Sequence, residues 1–185
     1  MANTPSNMLP LGTKAPHFEL LDTISNTIIN LETIKGEKGT VIMFICNHCP
    51  FVIHINKTLV AIAKSYQKKG IGFAAISSND AVKYPQDGPE KMKLHADIEN
   101  YPFPYLYDES QTIAKAYDAA CTPDFFMFDA NLKLVYRGQL DDSRPGNNVP
   151  VTGNDLRHAL DCLIESKMNT AIQKPSIGCS IKWKV

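Results

Sequence analysis

The chain has no excess of charge of either sign. Lysine plus arginine and aspartate plus glutamate both total 19, so the formal net charge is +0 at pH 7. Without a net positive field, nothing attracts the phosphates of nucleic acid or an anionic lipid surface. No apolar run approaches the roughly 20 residues that span a bilayer. We therefore expect no nucleic-acid partner and no membrane partner.

Cysteine is scarce, and we expect the N-terminal stretch not to be a secretory signal. Five cysteines in 185 residues are too few and too irregularly spaced for a disulfide-stapled secreted scaffold. The N-terminal stretch MANTPSNMLPLGTKAPHF has no basic start followed by an unbroken apolar segment, as a signal peptide would have. We expect a cytoplasmic location, where cysteines stay reduced and are catalytic, metal-binding or inert.

Length and composition are those of one globular domain. A hydrophobic share of 44% is ordinary, and a chain of 185 residues buries one sizeable core. We predict a single domain over residues 1–185. Within it, residues 168–185 form a C-terminal tail that packs on the rest and carries the only tryptophan.

The first half of the chain predicts a parallel α/β architecture. Two β-prone stretches, 18–21 and 27–31, are separated by a turn and predict a hairpin. The apolar run 41–45 predicts a strand buried on both faces. Apolar residues then recur every three or four positions over 51–66, as in an amphipathic helix, and 71–76 predicts the next buried strand. Strand, helix and strand in this order imply a right-handed parallel crossover.

The second half predicts shorter elements. They are helices over about 89–99 and 111–117 and strands over 105–107, 125–128 and 132–137. The last two strands are expected to form an antiparallel hairpin. After a long loop, the spacing of Thr152 and Asp155 predicts an N-cap box that starts a final helix.

The segment Cys46-Asn47-His48-Cys49 lies where the buried strand meets the start of the helix. That context distinguishes a redox Cys-X-X-Cys from a chance one. The helix N-terminus stabilises a thiolate and lowers its pKa from about 8.5 towards about 3.5 to 7.5. Two intervening residues let one thiol reach the other and resolve a mixed disulfide. We predict that Cys46, the more exposed thiol, attacks and that Cys49 resolves.

Two further features support this chemistry. A partly protonated His48 would stabilise the thiolate and make the disulfide a stronger oxidant. The alternative is an exposed histidine without a role.

Thr122-Pro123 begins a predicted strand, although proline lacks the backbone N–H that a strand donates to its neighbour. A cis bond would account for it, with an ordinary trans proline as the alternative. Such a turn would expose a backbone edge that an extended substrate could pair with.

Together these features resemble the thioredoxin superfamily over roughly residues 11–167. The opening segment 12–20, GTKAPHFEL, is similar to the start of the alkyl hydroperoxide reductase and thiol-specific antioxidant (peroxiredoxin-like) branch. The resemblance implies a thioredoxin-like α/β fold with an N-terminal β-hairpin extension and a central mixed sheet flanked by helices. It also implies that Cys46 attacks, Cys49 resolves and Pro123 is a cis-proline facing them.

The sequence departs from both patterns of that superfamily. Peroxiredoxins carry a proline seven residues and a threonine or serine three residues before the peroxide-attacking cysteine. If Cys49 is aligned there, Ile42 and Cys46 occupy those positions. Relative to thioredoxin, Ile45 replaces the tryptophan before the first cysteine and Thr40 replaces the buried aspartate.

The arginine that binds peroxide in that branch also has no counterpart. Its position falls near Thr122, so only Arg137 or Arg144 from elsewhere could polarise a peroxide. Arg144 lies in a long loop of a length that is often functional. Thiol-disulfide exchange is therefore the main predicted function. A thiol peroxidase that uses Cys49 is the alternative.

The other cysteines leave choices open. Cys121 is expected near the redox pair, either to exchange with it or to pack as a small apolar residue. Cys179 lies in the apolar tail, which either docks to supply an extra resolving thiol or packs passively. Cys162 receives no role.

The predicted substrates are disulfides and thiols of proteins or small molecules, with peroxides as a further class. We predict no cofactor and no resident metal. Two alternatives stay open. One is a zinc site in which Cys46 and Cys49 are joined by His48, Cys121 or Cys179, and the other is a non-catalytic module that kept the fold.

Overall fold

The computed structural model describes residues 3–184. Its strands are β1 (Asn3–Pro5), β2 (Glu19–Asp22), β3 (Thr27–Asn30), β4 (Gly39–Phe44), β5 (Ile71–Ser77), β6 (Tyr105–Tyr107), β7 (Cys121–Thr122), β8 (Asp124–Asp129), β9 (Leu134–Gly138) and β10 (Ile177–Ser180). Its α-helices are α1 (Leu31–Ile34), α2 (Pro50–Gln67), α3 (Pro89–Glu99), α4 (Thr112–Ala116) and α5 (Asn154–Ile164). A 3-10 turn spans Pro85–Asp87.

The main sheet has seven strands in the order β3-β2-β6-β5-β4-β8-β9. The predicted hairpin is present, because β2 and β3 pair antiparallel. Strand β4 pairs parallel with β5 and antiparallel with β8, and β8 continues into the predicted hairpin with β9. The central mixed sheet flanked by helices is therefore confirmed.

Strand β4 is buried on both faces, as its unbroken apolar run predicts. Successive side chains of a strand point to opposite faces. Accordingly Val41 and Met43 pack in the core layer that contains α2 and α5, whereas Ile42 and Phe44 pack in the layer that contains α1 and α4. The sheet lies between two apolar layers, and β4 ends beside the first of them.

A second, three-stranded sheet has the order β1-β10-β7. In it the C-terminal strand β10 pairs antiparallel with β1 on one side and with β7 on the other. The sequence analysis assigned no strand to either end of the chain. Strands this short carry little periodic signal, and their pairing joins segments far apart in sequence.

The start of α5 corrects one prediction. The N-cap residue is Gly153, with φ 71° and no side chain to cap the helix, and the Thr152 hydroxyl accepts the N–H of Asn154 at 3.3 Å. The Asp141 carboxylate instead accepts hydrogen bonds from the backbone N–H groups of Thr152 (2.7 Å) and Gly153 (2.6 Å). The predicted N-cap box from Thr152 to Asp155 is therefore wrong. A carboxylate from the preceding loop binds these donors because charged acceptors form the stronger hydrogen bonds.

Candidate active site

The two cysteines of the Cys-X-X-Cys segment lie at the junction of β4 and α2. Cys46 lies two residues after β4 ends, and Cys49 is the N-cap residue of the 18-residue helix α2, directly before Pro50. The Cys49 carbonyl accepts the N–H groups of Val52 and Ile53, both at 3.0 Å. This is the strand-to-helix position that the sequence predicted.

The segment Thr122-Pro123 reaches the same place from the other side of β4. Its peptide bond is cis. The Thr122 hydroxyl lies 3.5 Å from the Cys46 sulfur, and the Thr122 carbonyl oxygen lies 3.2 Å from the Cys49 sulfur. The structure thus brings together the two cysteines and the threonine-proline pair named from the sequence.

Both thiols are buried, so the expected greater exposure of Cys46 amounts to almost nothing in this structure. The exposed fraction is 1% for Cys46 and 0% for Cys49. Two segments surround the pair, one that the sequence did not place here and one, the tail with Cys179, that it gave as a possible neighbour. The 3-10 turn that ends at Asp87 holds the residue after Cys46, and β10 lies along the Thr122 edge with Cys179 packed in the same core layer.

Asp87 organises the two residues between the cysteines. Its carboxylate is fully buried, with an exposed fraction of 0%. One oxygen accepts the Asn47 backbone N–H at 2.9 Å. The other accepts the Asn79 side-chain amide at 2.8 Å and lies 2.7 Å from His48 Nδ1. Asp87 was not identified from the sequence. The local signal for it was its position in the proline- and glycine-rich turn PQDGP.

Asn47 and His48 are held by additional contacts. The Asn47 side chain accepts a hydrogen bond from the Tyr105 hydroxyl at 3.0 Å and donates to the Gln86 carbonyl at 2.7 Å. The His48 ring stacks on Tyr84 with centroids 5.9 Å apart and an interplanar angle of 2°. These contacts hold both intervening side chains in place beside the redox pair. Tyr105 and Tyr84 were not identified from the sequence.

The His48–Asp87 pair sets the local charge. Contact with the carboxylate raises the pKa of His48 above its ordinary value. Burial opposes ionisation of Asp87, but hydrogen bonds from His48 and Asn79 outweigh it and leave the pKa of Asp87 lowered. His48 is thus paired with the Asp87 carboxylate, and the charge of that carboxylate acts to raise the pKa of Cys46.

The two thiols ionise unequally. The hydrogen bond with Cys49, burial and the Asp87 charge hold the pKa of Cys46 well above its ordinary value. The hydrogen bond from Cys46 lowers the pKa of Cys49 to about 4, against the opposing effect of burial and with further hydrogen bonds from Cys179 and Thr122. In this closed arrangement the negative charge of the pair therefore resides on Cys49.

The other two buried cysteines also lie near the pair. Cys179 is opposite Thr122 in the β10–β7 register and forms side-chain and backbone hydrogen bonds to Cys49. Burial raises the pKa of Cys179 to about 12. The Cys121 thiol donates to the Pro123 carbonyl at 3.7 Å, and burial raises its pKa above the ordinary value.

Neither arginine considered from the sequence contacts the thiols. Arg144 donates to the carbonyls of Asp141 (2.6 Å) and Ser143 (2.7 Å) and to the Gln139 side chain, so its guanidinium is held by its own loop. That loop lines a small cavity next to Pro123. Arg137 lies farther away, where it donates to the Leu9 carbonyl at 2.9 Å.

One cluster of side chains has metal-ligand chemistry. Ligand atoms of Cys46, His48 and Asp87 all lie within 4.8 Å of one another. Within residues 3–184, no such group includes Cys49 or Cys179. The zinc alternative considered from the sequence therefore has a different donor set in the structure, and in that set His48 and Asp87 are already paired with each other.

Replacing Asp87 with asparagine is expected to destabilise the site and lower the pKa of His48. Loss of the charged hydrogen bonds should lower the free energy of unfolding by about 1–3 kcal/mol. The raised pKa of His48 stabilises the fold below about pH 6.5, and this stabilisation is lost as pH rises through the pKa of His48 in the folded protein. The lowered pKa of Asp87 stabilises the fold above about pH 3.9. The difference in free energy of unfolding between the wild type and Asp87→Asn should therefore be largest between these two pH values.

Urea unfolding across this pH range and NMR titration of the His48 ring would measure both effects. Asp108→Asn is the matched control, because Asp108 is also buried but binds Ser78 (2.8 Å) and the Ala114 N–H (3.0 Å). An unchanged His48 titration in Asp87→Asn would contradict the assigned pairing.

Comparison with protein families gives one match. A model described as the AhpC/TSA family matches residues 11–137. A search of curated proteins found no significant match. Among residues 3–184, no helix is long and apolar enough to cross a membrane.

Several solved structures are similar. An uncharacterized conserved protein from Geobacillus kaustophilus is 60% identical, with a TM-score of 0.98 and coverage of 100% of this chain and 97% of that one. A hypothetical protein from Sinorhizobium meliloti 1021 is 45% identical, with a TM-score of 0.95 and coverage of 98% and 99%. The thioredoxin domain of a thiol-disulfide oxidoreductase from Bacteroides vulgatus is 18% identical, with a TM-score of 0.61 and coverage of 72% and 91%. This last likeness shows that the fold is thioredoxin-like.

Proposed function

Because the chain belongs to the AhpC/TSA family, we propose that it is a thiol-disulfide oxidoreductase whose Cys46 and Cys49 alternate between dithiol and disulfide. The observation that carries the proposal is that two buried cysteine sulfurs meet Thr122 at the N-terminus of α2, Cys46 at 3.5 Å from its hydroxyl and Cys49 at 3.2 Å from its carbonyl oxygen. The proposed substrates are disulfides and thiols of proteins or small molecules. In a reducing compartment the expected direction is reduction of the substrate disulfide.

The proposed cycle assigns attack to Cys46 and resolution to Cys49. The Cys46 sulfur attacks a substrate disulfide, and its proton passes to the substrate sulfur that leaves, which departs as a thiol. The Cys49 sulfur attacks Cys46, which forms the Cys46–Cys49 disulfide and releases the second substrate thiolate. Two electrons pass from the protein to the substrate.

This cycle uses Cys49 as the resolving nucleophile. Its lowered pKa of about 4 makes it the thiolate of the resting pair, the form that attacks a mixed disulfide. Attack by Cys46 requires access to its sulfur, which the closed structure does not provide. Substrate binding must therefore displace one of the segments that surround the pair.

The low pKa of Cys49 also favours a second candidate, a thiol peroxidase. The Cys49 thiolate would attack one peroxide oxygen, form a sulfenic acid and release water or an alcohol. The Cys46 thiol would then condense with the sulfenic acid, giving the same disulfide and water. Against efficient peroxide chemistry, the guanidinium groups of Arg137 and Arg144 are held by other partners.

Stopped-flow oxidation of the fully reduced protein would separate the two functions. We expect rapid reaction with a model disulfide and slow reaction with hydrogen peroxide. The disulfide reaction should disappear in Cys46→Ser. It should persist in the matched control Cys162→Ser, because Cys162 lies on α5 beside His158, at 3.6 Å. Fast peroxide consumption that requires Cys49 would replace the proposed function with a peroxidase.

A further inference from the structure

Strand β10 occupies the edge that an extended substrate would use. A backbone edge next to Thr122-Pro123 is the expected pairing site for a substrate of the proposed reaction. In the structure the chain's own C-terminal segment pairs there, antiparallel, with Cys179 opposite Thr122 and Ser180 opposite Cys121. The segment therefore lies as a bound substrate strand would lie, and it carries a cysteine next to the redox pair.

The docking is closely fitted. A Cβ atom at Gly178 would fall well inside contact distance of the Thr122 carbonyl oxygen, so only glycine allows the two backbones to approach this closely. Just before β10, the Ser176 N–H donates to the Ser6 hydroxyl at 2.8 Å. Just after it, the Lys182 N–H donates to the Asn79 side-chain oxygen at 2.8 Å. Hydrogen bonds at both ends hold the strand in this register.

Cys179 contacts Cys49 directly. Cys179 is buried, with an exposed fraction of 2%, in the core layer that also contains Cys46 and Cys49. Its side chain and its backbone N–H both form hydrogen bonds to the Cys49 sulfur. Thr122, whose carbonyl contacts Cys49 at 3.2 Å, is its register partner. Cys49 thus lies between two thiols, Cys46 and Cys179.

We propose that Cys179 is a third redox thiol of this site, held by β10 so that it exchanges with the Cys46–Cys49 disulfide. This proposal rests on the proposed function. The Cys179 sulfur attacks Cys49, the Cys49–Cys179 bond forms, and the Cys46–Cys49 bond breaks. The departing Cys46 sulfur takes the proton that Cys179 loses. One disulfide is consumed and one is formed, so the step needs no external oxidant or reductant.

The exchange gives the docked tail a role in the cycle. After it, Cys46 is again a thiol while the protein stores its disulfide between Cys49 and the tail. An extended substrate must displace β10 to pair with the Thr122 edge, so tail and substrate compete for one site. The covalent bond from Cys49 to Cys179 would keep that site closed until an external thiol reduces it.

Disulfide mapping after limited oxidation tests the proposal. The reduced full-length protein is treated with one equivalent of diamide, blocked by alkylation at acidic pH, digested and analysed by mass spectrometry. In Cys46→Ser we expect Cys49–Cys179 to be the main disulfide. In the wild type, oxidised molecules should include a fraction in which Cys46 is alkylated, and Cys179→Ser should abolish that fraction. Cys121→Ser is the matched control and should leave both results unchanged.

The outcomes separate this proposal from the proposed function. One outcome would overturn the role of Cys179 alone. In it the wild type forms the Cys46–Cys49 disulfide, Cys46→Ser forms no Cys49–Cys179 disulfide, and the oxidised wild type contains no alkylated Cys46. A wild type that forms neither disulfide overturns the proposed function and this proposal together. The wild-type alkylation readout does not depend on whether Cys46→Ser folds.

Discussion

Cys49→Ser is expected to convert the protein from a catalyst of disulfide reduction into a trap for its substrate. Cys46 can still form a mixed disulfide, but the thiol that resolves it is gone. Steady-state reduction of a model disulfide should fall at least about a hundredfold, and intact-protein mass spectrometry should show one substrate half attached to Cys46.

The comparison with Cys46→Ser makes this prediction specific. That variant should lose turnover as completely but should accumulate no adduct. Cys162→Ser, which alters a cysteine on α5 outside the site, should retain wild-type turnover. An adduct on Cys49 in Cys46→Ser, with turnover preserved, would reverse the assigned order of attack and would agree with the lower pKa of Cys49.

Gly178→Ala is expected to undock β10 and to open the redox pair. The added methyl group meets the Thr122 carbonyl oxygen and carbon, which are backbone atoms with little room to move. Overpacking of this kind costs about 1–3 kcal/mol. The strand can escape the cost by leaving the edge, so alkylation of Cys46 and Cys49 by iodoacetamide should accelerate at least about tenfold, which corresponds to about 1.4 kcal/mol.

Ser180→Ala serves as the control for Gly178→Ala. It lies on the same strand, adds no atom and keeps the backbone that pairs with Cys121, so its alkylation rates should match those of the wild type. The rates are measured by quenched alkylation and peptide mass spectrometry under native conditions. Equal protection of the two cysteines in Gly178→Ala and the wild type would show that β10 does not restrict access to them.

Much of the fold could be predicted from the sequence, because its signals are local. The apolar run that became β4 and the periodicity that became α2 depend on neighbouring residues along one element. They predicted the junction at which Cys46 and Cys49 lie. Thr122-Pro123 was also identified locally, since a proline at the start of a strand has no ladder donor.

The surroundings of the thiols could not be predicted in this way. Asp87 contacts Asn47 and His48 across about forty residues of sequence, and β10 contacts Thr122 across more than fifty. Neither contact leaves a periodic pattern, because each depends on how separate elements pack.

The sequence by itself determined the elements, the strand-to-helix position of the two cysteines and the choice of Thr122-Pro123 as their neighbour. Only the tertiary structure decided that both thiols are buried, that Cys49 rather than Cys46 carries the charge, and that Cys179 joins them. The physical reason is range. Backbone preferences and side-chain periodicity act within one element, whereas burial, hydrogen bonding and charge at a site are set by residues that folding alone brings together.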